Sequence, residues 1–170
     1  MTAAVLDREF KSSYELLITC TDAIGTNSTS LSASAPLSVH VDDINDNAPV
    51  FRSRVYRSHV TENQPVGTTL AFIVPDEVTD ADEGYNAEVR YRLLSASGSD
   101  FRLDMMSGLL TTNRMFDRER QEVINITVVA MDLGSPSLSS TADVIVTILD
   151  EDDEVVIKNI PIIMSLILLF

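Results

Sequence analysis

Apolar and polar residues alternate along many short stretches of the chain. In Ile124-Asn125-Ile126-Thr127-Val128-Val129-Ala130 the even-numbered positions are apolar, which is typical of a strand with one buried face. Similar runs lie at residues 51–60, 68–74, 88–94, 101–103, 108–112 and 142–149. Glycines and the turn signal Gly134-Ser135-Pro136 separate these runs. The pattern therefore predicts an all-β fold built from short strands.

The number of runs narrows the expected architecture. Seven short strands over about 100 residues are typical of an antiparallel sandwich of the immunoglobulin-like kind. The chain has no Trp and a single cysteine, so a true immunoglobulin domain is disfavoured and no internal disulfide can form. Cys20 occupies an apolar position of an alternating run, and we expect it to be a small buried core residue.

The chain also contains an internal repeat. Asp7-Arg8-Glu9 recurs 110 positions later as Asp117-Arg118-Glu119. The same offset relates five positions of the first unit, Tyr14, Leu16, Ile18, Cys20 and Asp22, to Ile124, Ile126, Val128, Ala130 and Asp132. Asp43 corresponds to Asp150 at an offset of 107, so one connecting loop differs in length. Two tandem units of one fold are predicted, the first containing only its last third.

Charge and composition limit the function. A formal net charge of -14 argues against a nucleic-acid partner, which requires basic patches. The acidic residues fall in short, spaced clusters, a pattern that favours cation binding over a diffuse charged surface. His40 and His59, the imidazole bases of the chain, lie in strand-like runs without a nucleophile motif, so we do not expect an enzyme.

The densest cluster is Asp43-Ile44-Asn45-Asp46-Asn47, which is followed at once by Ala48-Pro49-Val50-Phe51. Hard oxygen ligands without a nearby His or Cys suit calcium better than zinc or copper. An EF-hand starting at Asp43 is excluded, because its sixth position is Ala48 and its twelfth is Arg54. A second start at Asp80 also fails at its twelfth position, Tyr91. Any calcium ligands must therefore converge from separated segments.

Several motifs together resemble cadherin repeats over roughly residues 1–153. They are Leu6-Asp7-Arg8-Glu9, Asp43-Ile44-Asn45-Asp46-Asn47-Ala48-Pro49-Val50-Phe51, Thr61-Glu62-Asn63 and Asp80-Ala81-Asp82-Glu83-Gly84-Tyr85-Asn86-Ala87. The resemblance implies a tandem of cadherin-type Greek-key β-sandwiches with the first repeat truncated. Residues 1–47 would form the C-terminal part of a first repeat with its linker, 48–153 a complete second repeat, and 154–170 an atypical apolar tail.

The resemblance also implies calcium as the cofactor at the joint between repeats. The implied ligands are Asp7, Glu9, Asp43, Ile44 (by its carbonyl), Asn45, Asp46, Asn47 (by its carbonyl), Asp80, Asp82, Asn86 (by its carbonyl) and Asp132. The family set includes a further Glu near the start of the upper repeat, which this sequence does not contain, so we expect weaker binding here. A second, weaker site is expected from Glu62, Asp117, Glu119, Asp150, Asp152 and Asp153. There Asp152 and Glu154 replace the two Asn residues of the motif.

The function that the resemblance implies is that of a calcium-binding extracellular segment of a cell–cell adhesion protein. Calcium would make the joint rigid, and the expected partner is another cadherin ectodomain, homophilic or heterophilic, with no nucleic acid or small-molecule substrate. An alternative is a mechanical spacer repeat without an adhesive contact of its own. The chain has no Trp, so adhesion by exchange of a Trp-anchored strand is excluded for this segment.

Two further features concern location and modification. Asn27-Ser28-Thr29 and Asn125-Ile126-Thr127 match the N-glycosylation sequon, which makes Asn27 and Asn125 candidate sites of a glycoprotein.

We expect the extracellular face of the plasma membrane as the location, within a longer chain. Residues 160–170 are apolar but too few to cross a bilayer, which takes about 20 residues, and the N-terminus has no signal-peptide pattern.

Overall fold

The computed structural model describes residues 5–22, 31–70, 78–94 and 99–151. The described part is built from strands. The first two, β1 (Ser13–Thr21) and β2 (Ser32–His40), form an antiparallel hairpin. Nine strand segments follow in the described residues after 47: β3 (Val50–Phe51), β4 (Val55–Thr61), β5 (Thr69–Leu70), β6 (Val78–Thr79), β7 (Arg90–Leu94), β8 (Phe101–Leu103), β9 (Leu110–Thr112), β10 (Val123–Met131) and β11 (Ser139–Leu149).

The strands after residue 47 form two main sheets. The larger sheet has the order β4-β11-β10-β7, in which β4 runs parallel to β11 and the other pairs are antiparallel. The smaller sheet has the order β5-β9-β8, and β3 pairs separately with β6. A short 3-10 turn, Gly84–Asn86, precedes β7. In the part of the chain described, no helix is long and apolar enough to cross a membrane.

Both sheets contribute to one hydrophobic core. Leu70, Phe101 and Leu110 of the smaller sheet belong to the same buried cluster as Val128 and Val144 of the larger one. The even-numbered residues predicted to be buried in β10 lie in this core, whereas Asn125 between them is exposed. The sheets therefore pack face to face as a sandwich, and their strand ends hold the connecting loops in place.

Some strand boundaries differ from the predicted ones. The run 51–60 divides into β3 and β4, which belong to different sheets. Between these two strands the Ser53 hydroxyl donates a hydrogen bond to the Val55 carbonyl at 2.9 Å. After residue 47 the described residues hold nine strand segments in place of the predicted seven, since this division separates one run into two and β6 adds a short segment. Most of the run 68–74, the sequon at Asn27 and the tail 154–170 lie outside the described residues.

The prediction for Cys20 is wrong, because its side chain is exposed. The alternation correctly places Cys20 on one face of β1, but alternation does not reveal whether that face is covered. In the described residues β1 pairs with β2 alone. Leu16, Leu17 and Ile18 are accordingly also exposed, by 48%, 69% and 55%.

The internal repeat extends to the register of the strands. Tyr14 pairs with Val39 in the first hairpin, and Ile124, at the equivalent position, pairs with Val146 in the second. The preceding turns also match. The Asp7 carbonyl accepts the Lys11 N–H at 2.9 Å, and the Asp117 carbonyl accepts the Gln121 N–H at 3.1 Å. The two units therefore share one local geometry.

The packing of the smaller sheet can be tested at two adjacent leucines. Leu110 is fully buried, and Leu110→Ala is expected to lower the free energy of unfolding by about 2–5 kcal/mol because it leaves a cavity. Leu109 is 44% exposed, so Leu109→Ala serves as the matched control and should change stability by less than about 0.5 kcal/mol. Urea denaturation measures both. Equal losses for the two variants would contradict the described core.

Candidate metal centre

Three separated segments bring acidic side chains together beside the linker. The first is the turn that begins at Asp7, whose carboxylate accepts the Phe10 N–H at 2.9 Å. The second is the linker 43–47, and the third is the loop 80–86 between β6 and β7. Carboxylate oxygens of Glu9, Asp43 and Asp82, one residue from each segment, lie within 4.8 Å of one another. This spacing allows three segments to share one cation.

Asp43 is held by donors from both of the other segments. Its Oδ2 accepts the Glu83 N–H at 2.9 Å and the Asn86 side-chain amide at 3.0 Å, and its Oδ1 accepts Arg8 Nε. Burial opposes the ionised form of Asp43, but the bonds from Glu83, Asn86 and Arg8 outweigh it and lower the pKa of this carboxyl. Asp43 is therefore fixed as a carboxylate between the two units.

Arg8 links the same three segments, a role that the sequence analysis missed. Its Nη2 donates to the Glu9 carboxylate at 2.6 Å and to the Ala81 carbonyl at 2.5 Å, in addition to its bond with Asp43. Burial disfavours the charged guanidinium, but Asp43 and Glu9 more than compensate and raise the pKa of Arg8. The equivalent pair, Arg118 and Asp150, lies 4.0 Å apart. The repeated Asp-Arg-Glu motif was the available signal.

Asp82 ties the linker to the loop 80–86. Its carboxylate accepts the Asn47 N–H at 3.2 Å and the Asn47 side-chain amide at 2.7 Å. The Asp82 N–H in turn donates to Asp80 Oδ1 at 3.0 Å, so the two aspartates are hydrogen-bonded to each other within one short loop. Asp82 is 7% exposed, and these hydrogen bonds hold its carboxylate between the linker and the loop.

Asp132 brings the loop after β10 to the same linker. It is 1% exposed and accepts the N–H groups of Gly134 and Leu138, each at 3.0 Å from its Oδ1. Asn45 Nδ2 donates to Asp132 Oδ2 at 3.2 Å and to the Pro136 carbonyl at 2.6 Å. These bonds fix the Asn45 amide so that its nitrogen faces Asp132 and Pro136.

Two buried oxygens of this region have no hydrogen-bond donor, namely Asn45 Oδ1 and Asp80 Oδ2. Burial raises the pKa of Asp80, the Asp82 N–H bond opposes the rise, and the charges of Asp82 and Asp132 add to it. A buried oxygen without a donor is costly unless another positive partner satisfies it. Carboxylate and amide oxygens are the ligands that calcium takes in proteins. The residues present therefore fit a calcium ion.

The other expected ligands lie in the same segments but outside the three-residue group. The Ile44 carbonyl accepts the Asp46 N–H at 2.9 Å, and the exposed Asp46 carboxylate accepts the Asn47 amide at 2.8 Å. Asn86 uses its side-chain amide toward Asp43, which leaves its expected role through the carbonyl a prediction. Asp7 uses one carboxylate oxygen to close its turn.

A second acidic group lies at the opposite end of the sandwich. Oxygens of Glu62, Asp117 and Glu119 fall within 4.8 Å of one another. Glu62 is 1% exposed and accepts the N–H groups of Arg118 and Glu151 at 2.9 and 3.0 Å, which lower its pKa. Asp150 contacts Arg118, whereas Asp152 and Asp153 lie outside the described residues. The weaker second site remains a prediction.

Gly134 is a further residue that the sequence analysis did not assign to the site. A Cβ atom at this position would overlap the Asn45 side chain. Only the turn signal Gly134-Ser135-Pro136 was visible in the sequence, and it carries no information about a contact with the linker. The absence of a side chain here allows the loop after β10 to approach Asn45.

The Asp80 oxygen without a donor predicts that Asp80→Asn changes the melting temperature in opposite directions without and with calcium. Without calcium, Asp80→Asn is expected to raise the melting temperature by about 2–5 °C, because it removes a buried charge that Asp82 and Asp132 repel. In saturating calcium it should melt below the unsubstituted protein, since a ligand charge is lost. Calorimetry with chelator and with calcium measures both.

The effect of Asp80→Asn on stability should also depend on pH, and Asp143→Asn serves as its control. The metal-free stability advantage of Asp80→Asn should grow as the pH rises through the pKa of Asp80, because the folded protein binds that proton more tightly than the unfolded chain. Asp143→Asn removes a carboxylate from the exposed face of β11 and should show no reversal of sign. A loss of stability for Asp80→Asn in both conditions would contradict this interpretation.

The close approach at Gly134 gives a second prediction. Gly134→Ala is expected to displace the Asn45 side chain and to weaken calcium binding about tenfold or more, although it removes no ligand. Calorimetric titration measures the affinity. The effect should vanish in an Asn45→Ala background, because the two residues act as one unit. Additive losses in the double variant would show that Gly134 acts by another route.

Comparison with known proteins identifies the fold. The family model described as Cadherin domain matches residues 56–149. Protocadherin-11 X-linked of Sus scrofa is 41% identical over 152 residues, 89% of this chain and 13% of that protein. Protocadherin-16 of Rattus norvegicus is 42% identical over 148 residues, 87% of this chain and 4% of that protein. The chain thus spans a small part of the relatives that it matches.

Solved structures agree with this result. Extracellular cadherin domains 3–6 of protocadherin gamma B2 superpose with a TM-score of 0.79 at 33% identity, covering 89% of this chain and 36% of that one. Domains EC22–24 of mouse cadherin-23 superpose with a TM-score of 0.77 at 36% identity, covering 87% and 45%. The predicted all-β, Greek-key cadherin sandwich is confirmed. The chain belongs to the cadherin family.

Proposed function

We propose that the chain is a calcium-binding segment of an extracellular cell–cell adhesion protein, in which calcium makes the joint between two repeats rigid. In this proposal residues 1–47 end one repeat, 48–153 form the next, and 154–170 are a tail. Cadherin repeats are structural adhesion domains and not enzymes. The proposal therefore concerns binding and mechanics.

The observation that carries the proposal is the pair of buried oxygens without donors, Asn45 Oδ1 and Asp80 Oδ2. The two residues belong to different segments, the linker and the loop after β6. Asn45 contacts Asp132, and the charge of Asp132 also acts on Asp80. An ion that satisfied both oxygens would thus connect the linker to two loops of the second repeat.

The distribution of charge explains why the joint would respond to calcium. Seven of the proposed ligands are carboxylates, and in the described residues Arg8 provides the cation that contacts Glu9 and Asp43 directly. Without further positive charge, the carboxylates repel one another and favour separation of the segments. Calcium, when bound, supplies that charge to oxygens from both units. Glu9 belongs to the first unit and Asp82 to the second, so sharing an ion restrains their relative motion.

The comparisons also support a cadherin partner and an extracellular location. One solved relative is described as a cis-dimer of protocadherin gammaB7 domains EC3–6, and others are described as extracellular domains. We propose by this similarity that the partner is another cadherin ectodomain and that the chain faces the extracellular space at the plasma membrane.

The proposal predicts stabilisation by calcium through mass action. At a calcium concentration 100 times the Kd, the free energy of unfolding should increase by about 2.7 kcal/mol per site. Asp46→Ala should remove most of this increase, because it deletes a linker carboxylate. Asp143→Ala deletes a carboxylate on the face of β11 and should retain the increase. Calcium titration followed by calorimetry measures the increase in stability for both variants.

Two outcomes would contradict different parts of the proposal. A melting temperature that does not change between chelator and millimolar calcium would refute the metal site. A calcium-dependent melting temperature combined with an unchanged maximum dimension in small-angle scattering would retain binding but refute the rigid joint.

A further inference from the structure

We propose that β4, at the edge of the larger sheet, is a binding surface for a sulfated glycan of the glycosaminoglycan class. The inference goes beyond the calcium joint and rests on the proposed extracellular location, because such glycans lie outside cells. It concerns residues 52–59, whose basic side chains are Arg52, Arg54, Arg57 and His59. A short segment so rich in basic residues is typical of heparin-binding patches.

This basic segment belongs to a strongly acidic chain. The chain has 12 Lys and Arg residues against 26 Asp and Glu residues, but residues 47–61 contain no carboxylate side chain. Exposed charges farther apart than about 8 Å are largely screened from one another at physiological ionic strength. The segment can therefore attract an anion locally, although the net charge of the chain is -14.

Two guanidinium groups of the segment have no acidic partner. Elsewhere in the described residues Arg8, Arg90 and Arg114 each form an ion pair with a carboxylate. By contrast, the side chains of Arg54 and Arg57 are exposed and form no ion pair or hydrogen bond within the described part of the chain. A guanidinium group binds oxyanions through parallel N–H bonds, and Arg54 and Arg57 retain this capacity.

The strand presents its basic residues in a defined geometry. Arg57 and His59 are exposed, whereas Val60 is 5% exposed and belongs to the core. Alternate side chains of a strand point to the same face about 7 Å apart, so Arg57 and His59 stand side by side on the outer face of the sheet. In the described residues β4 pairs with β11 alone, which leaves its other edge open.

A shallow cavity beside these residues has a mainly polar lining. It measures about 330 Å³ and is lined by Arg57, Ser58, His59, Thr147 and Leu149. A peptide that adds a strand to a sheet edge is selected by pockets for its alternate side chains. Leu149 is the apolar member of this lining, and the other side chains carry N–H or O–H groups. The surface therefore suits the hydroxyl and sulfate groups of a glycan better than the side chains of a peptide.

A second cavity brings an opposing charge close to Arg54. It measures about 590 Å³, and its lining includes both Arg54 and Asp143 of β11. Asp143 accepts the Thr127 hydroxyl at 2.8 Å and forms no ion pair with Arg54. A sulfate group bound to Arg54 would be repelled by Asp143, so this carboxylate limits the affinity for a polyanion.

The inference is tested by calorimetric titration of the full chain, in calcium, with a short heparin oligosaccharide. Arg57→Gln should weaken binding about tenfold, because it removes a charge-assisted contact. Arg92→Gln removes the same charge from β7, at the opposite edge of the sheet, and should change the affinity less than about twofold. Asp143→Asn should strengthen binding about twofold or more, because it removes the opposing charge. The melting temperature of each variant verifies that it is folded.

Three results would overturn the inference. The first is that the heparin oligosaccharide does not bind. The second is an equal loss of affinity in Arg57→Gln and Arg92→Gln, which would indicate general attraction to positive charge and not a surface at β4. The third is equally tight binding of a polyglutamate peptide, which would assign the surface to acidic peptides. The calcium dependence of melting, measured without the oligosaccharide, tests the proposed function separately.

Discussion

Repulsion between carboxylates that the fold holds close together is the constraint on which the joint depends. Strand ends of a packed sandwich place Asp82 and Asp132 beside the linker, and both are almost fully buried. Neither can move away without breaking bonds to backbone N–H groups or to Asn47 and Asn45. The core thus maintains a charge arrangement that is unfavourable alone, and we propose that a cation makes it favourable.

The protein compensates this repulsion only in part. Arg8 and the N–H of Glu83 satisfy Asp43, but Asp80 keeps an oxygen without a donor and has a raised pKa. This difference supports the proposed calcium site. There the ordered contacts would fix the geometry of the ligands, and the unsatisfied oxygens would provide the affinity.

Local periodicity predicted the parts of the fold that depend on local sequence. The buried face of β10 and the equivalence of the two hairpins followed from alternation and the internal repeat. The repeated Asp-Arg-Glu motif draws attention to Arg8 but does not reveal its contacts with Asp43 and Ala81, and no sequence signal predicts the close approach of Gly134 to Asn45, because these contacts join residues far apart in sequence. The exposure of Cys20 was missed for a related reason, since alternation identifies a face but not what covers it.

We propose that calcium binds between the linker and both units, with Glu9, Asp43, Asn45, Asp80 and Asp82 among its ligands, and thereby joins two repeats. Paramagnetic shifts in NMR spectra of the chain loaded with a calcium-like lanthanide locate the bound ion. We expect shifts in both units that place the metal beside residues 43–47, with the largest effects near Glu9 and Asp82. Shifts confined to one unit, or a metal position beside Glu62 alone, would contradict it.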